Sequence, residues 1–340
     1  METVSGGRQK INPGRNYMAY FGVVLHSVWK FEVVIFDKQH PGVLGMLNSL
    51  LMKNLKFFQV LALVLVVQEA SGRSGWTKTK GEGFFQTSFN TFNSKDYFTL
   101  DGERLVTNRF QQQSIIFYGE YGVTDKFNII ANLPLQNFNG FETTETVSGL
   151  GDLRLEFKHS LLKKYFPLAI SVAPEIPTGR ANNFANSKVN DFDRINLPSG
   201  DGEFNVWTTL ATSFALGDFP LYGSLFGSYN YRTQYDGISF SDQIAVGVEL
   251  GYKIADKIWF NVRMNGLTSV DEITEVTDFV RGDGTEYTSY TLGLSAPIYK
   301  EFHLSLTYRN FNDLLFDRKN IYSGGVFGVG IFYNLKAPTE

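Results

Sequence analysis

The chain contains no cysteine, which excludes a disulfide scaffold and any thiolate metal centre. Tryptophan (4), methionine (5) and proline (10) are also scarce in its 340 residues. Charge of neither sign dominates: 31 Lys and Arg stand against 34 Asp and Glu, a formal net charge of −3, which excludes a strongly basic nucleic-acid binder. There is no phosphate-cradling Gly-rich loop, no Asp-rich calcium repeat and no cofactor motif, so no cofactor is expected. After residue 72 only His159 and His303 remain as histidines, with no metal-ligand spacing around them. Ser305 shares a predicted face with His303, but no third group orients such a pair for hydrolysis, so the sequence does not read as an enzyme.

Phenylalanine (31), tyrosine (17) and glycine (33) are abundant. Aromatic residues favour strands, and glycine fits tight turns and small inward positions. Ser241–Ile254 shows the consequence: Ile244, Val246, Val248, Leu250, Tyr252 and Ile254 share one parity, while Gln243, Ala245, Gly247, Glu249, Gly251 and Lys253 share the other. Alternate strand side chains point to opposite faces, so this segment has one oily and one polar or small face. The pattern recurs at Leu153/Leu155/Phe157 against Asp152/Arg154/Glu156/Lys158 and at Ile258/Phe260/Val262/Met264 against Asn261/Arg263/Asn265. It recurs again at Phe302/Leu304/Leu306/Tyr308 against His303/Ser305/Thr307/Arg309. Mean hydropathy is only −0.13, as expected where half of each membrane-crossing strand is polar.

The organisation predicted is an upstream extension over 1–51, a signal peptide over 52–72 and a barrel over 73–340. Lys53 and Lys56 precede the apolar run Phe57–Val67, and Ala70-Ser71-Gly72 supplies small residues for cleavage after Gly72. That run is too short to span a bilayer, which takes about 20 residues. A signal beginning at Met52 implies that translation starts there; the alternative is an additional inner-membrane anchor within 1–51, a stretch without strand alternation.

Five short, charged connections (122–126, 161–165, 217–218, 255–257 and 299–301) are each followed within two residues by an aromatic: Phe127, Phe166, Phe219, Trp259 and Phe302. Together these five predict an interfacial girdle at the periplasmic end. Longer polar connections at 93–110, 137–149, 179–201, 234–240, 269–286 and 313–320 predict extracellular loops; Asn183–Asn190 and Gly282-Asp-Gly284 have loop chemistry. The fold expected is all-β: a transmembrane antiparallel up-and-down β-barrel of twelve strands, at 82–92, 111–121, 127–136, 150–160, 168–178, 202–216, 220–233, 241–254, 258–268, 287–298, 302–312 and 321–335. In 220–233 both faces carry aromatics, and inside cannot be told from outside. A soluble sandwich is disfavoured because many strands reach ten residues, the length that crosses a bilayer at a tilt, where soluble strands average about 5–6. A wall in lipid must pair every backbone group internally, and an exported sheet does so by closing.

Several segments resemble a known family. Gly149-Leu-Gly-Asp-Leu-Arg-Leu-Glu-Phe-Lys158, Pro167–Gly179 ending Pro-Thr-Gly, Gly200-Asp-Gly-Glu203, Tyr229-Asn-Tyr-Arg232 and Asp242-Gln243 resemble the outer-membrane family named for the MetA pathway of phenol degradation. The resemblance covers roughly 76–335, and implies a bacterial outer-membrane barrel that passes small, including hydrophobic or aromatic, compounds. Gly330-Ile-Phe-Tyr-Asn-Leu335 resembles the C-terminal signal through which such barrels engage the barrel-assembly machinery, although Lys336–Glu340 follow it.

The partners expected are thus outer-membrane lipid, the assembly machinery and a small solute. Inward parity assigns Glu120, Asp152, Arg154, Glu156, Lys158, Glu175, Glu203, Glu249, Lys253, Arg263 and Arg309 to the lumen. Such charges either pair across strands and rigidify the barrel, or form a constriction selecting solutes by size and sign. Since acids and bases alternate, no strong ion selectivity is expected. The function expected is a passive channel or transporter for small solutes; the alternative is a structural or surface-interaction barrel with an occluded lumen and functional loops.

Overall fold

The computed structural model describes residues 21–26, 30–35, 73–190, 193–217, 219–254, 257–271 and 282–337. The chain divides into two units, Met1–Val64 and Leu65–Glu340. In the first, Phe21–His26 pairs antiparallel with Lys30–Ile35, where alternation predicts no strand. Their β-branched and aromatic content suits an extended backbone regardless of period. The signal-peptide segment 52–72 lies outside the described residues, as does the rest of 1–51.

The second unit is a ring of twelve strands: β1 (Gly83–Phe98), β2 (Arg104–Thr124), β3 (Phe127–Phe141), β4 (Leu153–Leu162), β5 (Leu168–Ile176), β6 (Asn205–Ala215), β7 (Leu221–Arg232), β8 (Gln243–Ile254), β9 (Ile258–Ser269), β10 (Tyr287–Tyr299), β11 (Phe302–Asn312) and β12 (Val326–Leu335). Each pairs antiparallel with its chain neighbours, and β12 returns to β1 in a register running from Val326↔Phe92 to Leu335↔Gly83. Closure leaves no free sheet edge, which is the condition for a β-wall in lipid. No helix occurs among the described residues.

All twelve predicted strands are present. β1 and β2, however, run on through 93–98 and 104–110, so the expected loop at 93–110 shrinks to 99–103, with Gly102 at φ +80°. These extensions project past the length a membrane crossing needs, so their outer face carries polar residues and the period-two signature disappears. The expected loop at 137–149 is likewise mostly strand: β3 continues to Phe141, and Val147–Gly149 folds back onto it. At the other end, Ile321–Tyr322 pairs with Tyr97–Phe98 apart from β12, which begins at Val326.

The outer face is oily, with Phe157, Ile170, Val172, Leu210, Leu225, Leu294, Leu306, Phe327 and Ile331 all exposed. β7 has a clear polarity: Leu225, Tyr229 and Tyr231 point out, while Ser224, Phe226, Ser228, Asn230 and Arg232 are buried inside. Of the predicted girdle, Phe166, Phe219 and Phe302 are exposed at the short-turn end. Trp259 is not part of it. It shares the inward parity of Asn261 and Arg263, packs at a tilt against Tyr222 with ring centroids 5.5 Å apart and lines an internal cavity.

Candidate functional site: the barrel lumen

At the short-turn end, residues 73–82, which precede β1, lie inside the ring. The Gly75 N–H donates to Ser213 Oγ at 2.8 Å, and a Cβ on Gly75 would stand 1.9 Å from the Pro167 carbonyl oxygen. Only glycine allows so close a backbone approach. Lys158 Nζ reaches Ser74 Oγ at 3.5 Å, and Trp76 packs edge-on against Tyr222. The Lys80 N–H donates to Asp125 Oδ1 at 3.0 Å, and the Gly81 N–H donates to the Gly122 carbonyl at 2.9 Å. Arg73 reaches furthest in, its guanidinium over the rings of Trp207 and Phe226 at 5.4 and 4.9 Å.

At the long-loop end, the β5–β6 connection covers the ring. Phe184–Asn186 and Arg194–Asn196 form a small hairpin, and Ala185 and Leu197 are completely buried against Phe92 and Phe110 of the inner wall. Phe141, Val147 and Tyr322 complete this apolar cluster. Polar anchors flank it: Asn139 Nδ2 donates to the Pro198 carbonyl at 2.8 Å, and Asn137 Nδ2 to that of Ser199 at 3.1 Å.

Each charged residue assigned to the lumen by parity has a defined place. Asp152 accepts from the N–H groups of Gly179 (2.9 Å) and Asp201 (2.7 Å), fastening the covering loop to the start of β4. Glu175 accepts from Asn205 Nδ2 at 3.4 Å, and lines with Asp152 and Asp201 a cavity of about 300 Å³. Glu203 and Arg232 form a fully buried pair, the Nε contact being 2.9 Å and an Nη2 contact also present. Arg263 donates likewise to Glu249, and the Tyr222 hydroxyl donates to the same carboxylate at 2.8 Å. Glu120 accepts from Asn128 Nδ2 at 2.7 Å and lies 4.0 Å from Lys158. Arg154 sits over the Trp207 ring at 4.6 Å. Arg154, Glu156, Arg263 and Arg309 share one central cavity; Lys253, facing Trp259 across the β8–β9 register, stands apart at the short-turn end.

Between the two closures lie adjoining cavities of about 510, 230 and 270 Å³, which share Tyr118. Amide and hydroxyl side chains dominate the wall of the 270 Å³ cavity, among them Gln86, Ser88, Asn90, Asn132, Ser305 and Thr307. His303 stacks on Phe332 at 4.7 Å, whereas Ser305 accepts from Gln86 Nε2 at 3.0 Å and donates to the Gly330 carbonyl at 3.2 Å. Among the described residues these two share no hydrogen bond. Parity missed residues 73–82 entirely, because the segment has no alternation. The small residues at 74–75 and the isolated Trp76 were its only signal.

The chain matches no protein-family model and no curated protein. Among solved structures it is similar to the COG4313 outer membrane channel from Pseudomonas putida F1, with 14% identity and a TM-score of 0.57 over 78% of this chain and 100% of that one. It also aligns with the translocator domain of autotransporter NalP from Neisseria meningitidis (9% identity, TM-score 0.48, 84% and 97% covered). A third alignment is with the Pseudomonas putida toluene transporter TodX (9%, 0.40, 76% and 90%). At these identities the first likeness establishes a shared fold, that of outer-membrane β-barrels; the other two are looser.

Proposed function

We propose that the protein is an outer-membrane channel for the passive passage of small solutes, exported by the signal at 52–72 and oriented with its short turns in the periplasm. The observation that carries this reading is a closed twelve-stranded wall, oily outside, enclosing adjoining polar cavities. A barrel serving only as an anchor has no need of internal space lined by amides and hydroxyls. The similarity to an outer membrane channel supports the same reading. Residues 73–82 and the loop fastened by Asp152 act as the periplasmic and extracellular constrictions. The lumen charges then tune size and sign where they are not already paired across strands.

Single-channel recording in planar bilayers tests this. Discrete conductance is expected, larger in a variant lacking 73–80. Silence in both, at all voltages, would leave the occluded-barrel alternative, which the buried seating of the loop residues Ala185 and Leu197 against the inner wall favours. The family resemblance, with its aromatic or hydrophobic cargo, is tested by liposome swelling with sugars, organic acids and neutral aromatics.

A further inference from the structure

Charge does not alternate along the axis as it does along the chain. Acids outnumber bases toward the two ends: Asp152, Glu175 and Asp201 line one outer cavity with Arg154, and Glu82, Glu120 and Glu249 line the opposite one with Lys78 and Arg263. The central cavity, about 230 Å³, is lined by Arg73, Arg154, Arg263 and Arg309 against a single carboxylate, Glu156. Arg263 is neutralised by Glu249.

Arg73 and Arg154 are held differently. Their guanidiniums rest on aromatic faces, Trp207 for both and Phe226 for Arg73. Among the described residues neither side chain makes a hydrogen bond or an ion pair with a carboxylate within 4 Å. Ring faces fix a guanidinium plane while leaving its N–H edge for an acceptor. The indole N–H of Trp207, which lines the same cavity, is buried and finds no acceptor among the described residues. Buried donors ordinarily have partners, and an anionic acceptor would supply one here.

We infer that the central cavity is a binding site for a small organic carboxylate, its oxygens taken by Arg73 and Arg154 and its planar skeleton lying among the Trp207, Tyr118 and Tyr287 rings. The volume, that of about eight waters at ~30 Å³ each, sets the size of the ligand. The excess of guanidinium over carboxylate sets its sign. This names the solute class of the proposed channel and rests on that reading for its transport role, although binding can be measured without current.

The test is titration of the detergent-solubilised protein, purified from outer membranes, with benzoate, benzylamine and inorganic phosphate, followed by calorimetry and Trp fluorescence. Saturable benzoate binding that quenches fluorescence, at least tenfold weaker in R73Q and in R154Q, is expected, with benzylamine inert. Arg73 lies outside the barrel wall, so R73Q leaves every strand residue in place; K253Q, away from the cavity, should bind as the parent does. No benzoate binding, preference for benzylamine, phosphate binding without benzoate binding, or unchanged affinity in R73Q would overturn the inference. Benzoate binding without conductance would instead uphold the site and reject the channel.

Discussion

Asp152 Oδ2 accepts a hydrogen bond from the Asp201 N–H at 2.7 Å, joining residues 49 positions apart. The other oxygen takes the Gly179 N–H, and a Cβ at Gly200 would come within 2.3 Å of it. The Gly-Asp-Leu, Pro-Thr-Gly and Gly-Asp-Gly segments that carry the family resemblance therefore meet at one carboxylate.

Removing that carboxylate should free the covering loop and leave the barrel intact. Hydrogen bonds to charged groups contribute about 1.5–3 kcal/mol each. D152A is expected to speed proteolysis within 179–201 by tenfold or more at unchanged heat-modifiable gel mobility. Equal cleavage rates in parent and variant would refute the latch.

Gly75 offers a test of the opposite closure. Its Cβ would overlap the Pro167 carbonyl, and overpacking costs about 1–3 kcal/mol. G75A should dislodge 73–80, raising unitary conductance while barely altering barrel stability. A lower or identical conductance would argue that the segment does not restrict passage.

The Glu203–Arg232 pair is a stability element. Both side chains are almost completely buried, and Arg232 also lies 3.6 Å from Asp283 and over the Phe240 ring. Breaking a buried pair from one side costs about 3–5 kcal/mol, because the survivor stays buried and charged. E203A should lower the temperature of gel-mobility conversion markedly, and E203A/R232M should recover part of the loss. A double variant no more stable than E203A would contradict this.

Asp313 gives a pH dependence. Arg318 donates to its carboxylate from the backbone, from Nε (2.8 Å) and from Nη2 (2.6 Å), holding the carboxyl below its ordinary value. A carboxyl lowered on folding contributes stability above its unfolded value of about 3.9, and that contribution is lost as pH falls through the lowered value. Pepsin nicking of the 313–320 loop should accelerate below pH ~4 in the parent relative to D313N. A constant ratio across that range would dismiss the pair as an anchor.

Much of this fold was legible in alternation. Leu153, Leu155 and Phe157 against Arg154, Glu156 and Lys158 fixes a strand, its faces and its register, because a one-residue slip would bury every charge in lipid. Trp259 misled because following a turn is a weaker signal than parity, and parity placed it inside with Asn261. Asp152 had the right face, but its latch depends on Gly179 and Asp201, which only the tertiary fold brings near. The central excess of arginine was equally invisible: alternating signs along β4 and β8 say nothing of axial height, and Arg73 comes from a segment with no period at all.

Residues 73–82 directly precede β1, and β1 meets β12, the last strand made, to complete the ring. A leader in that position need never be threaded through a finished pore. The sheet can roll up around it and trap it at the final zippering, so that sealing the seam and stoppering the hole become one assembly event.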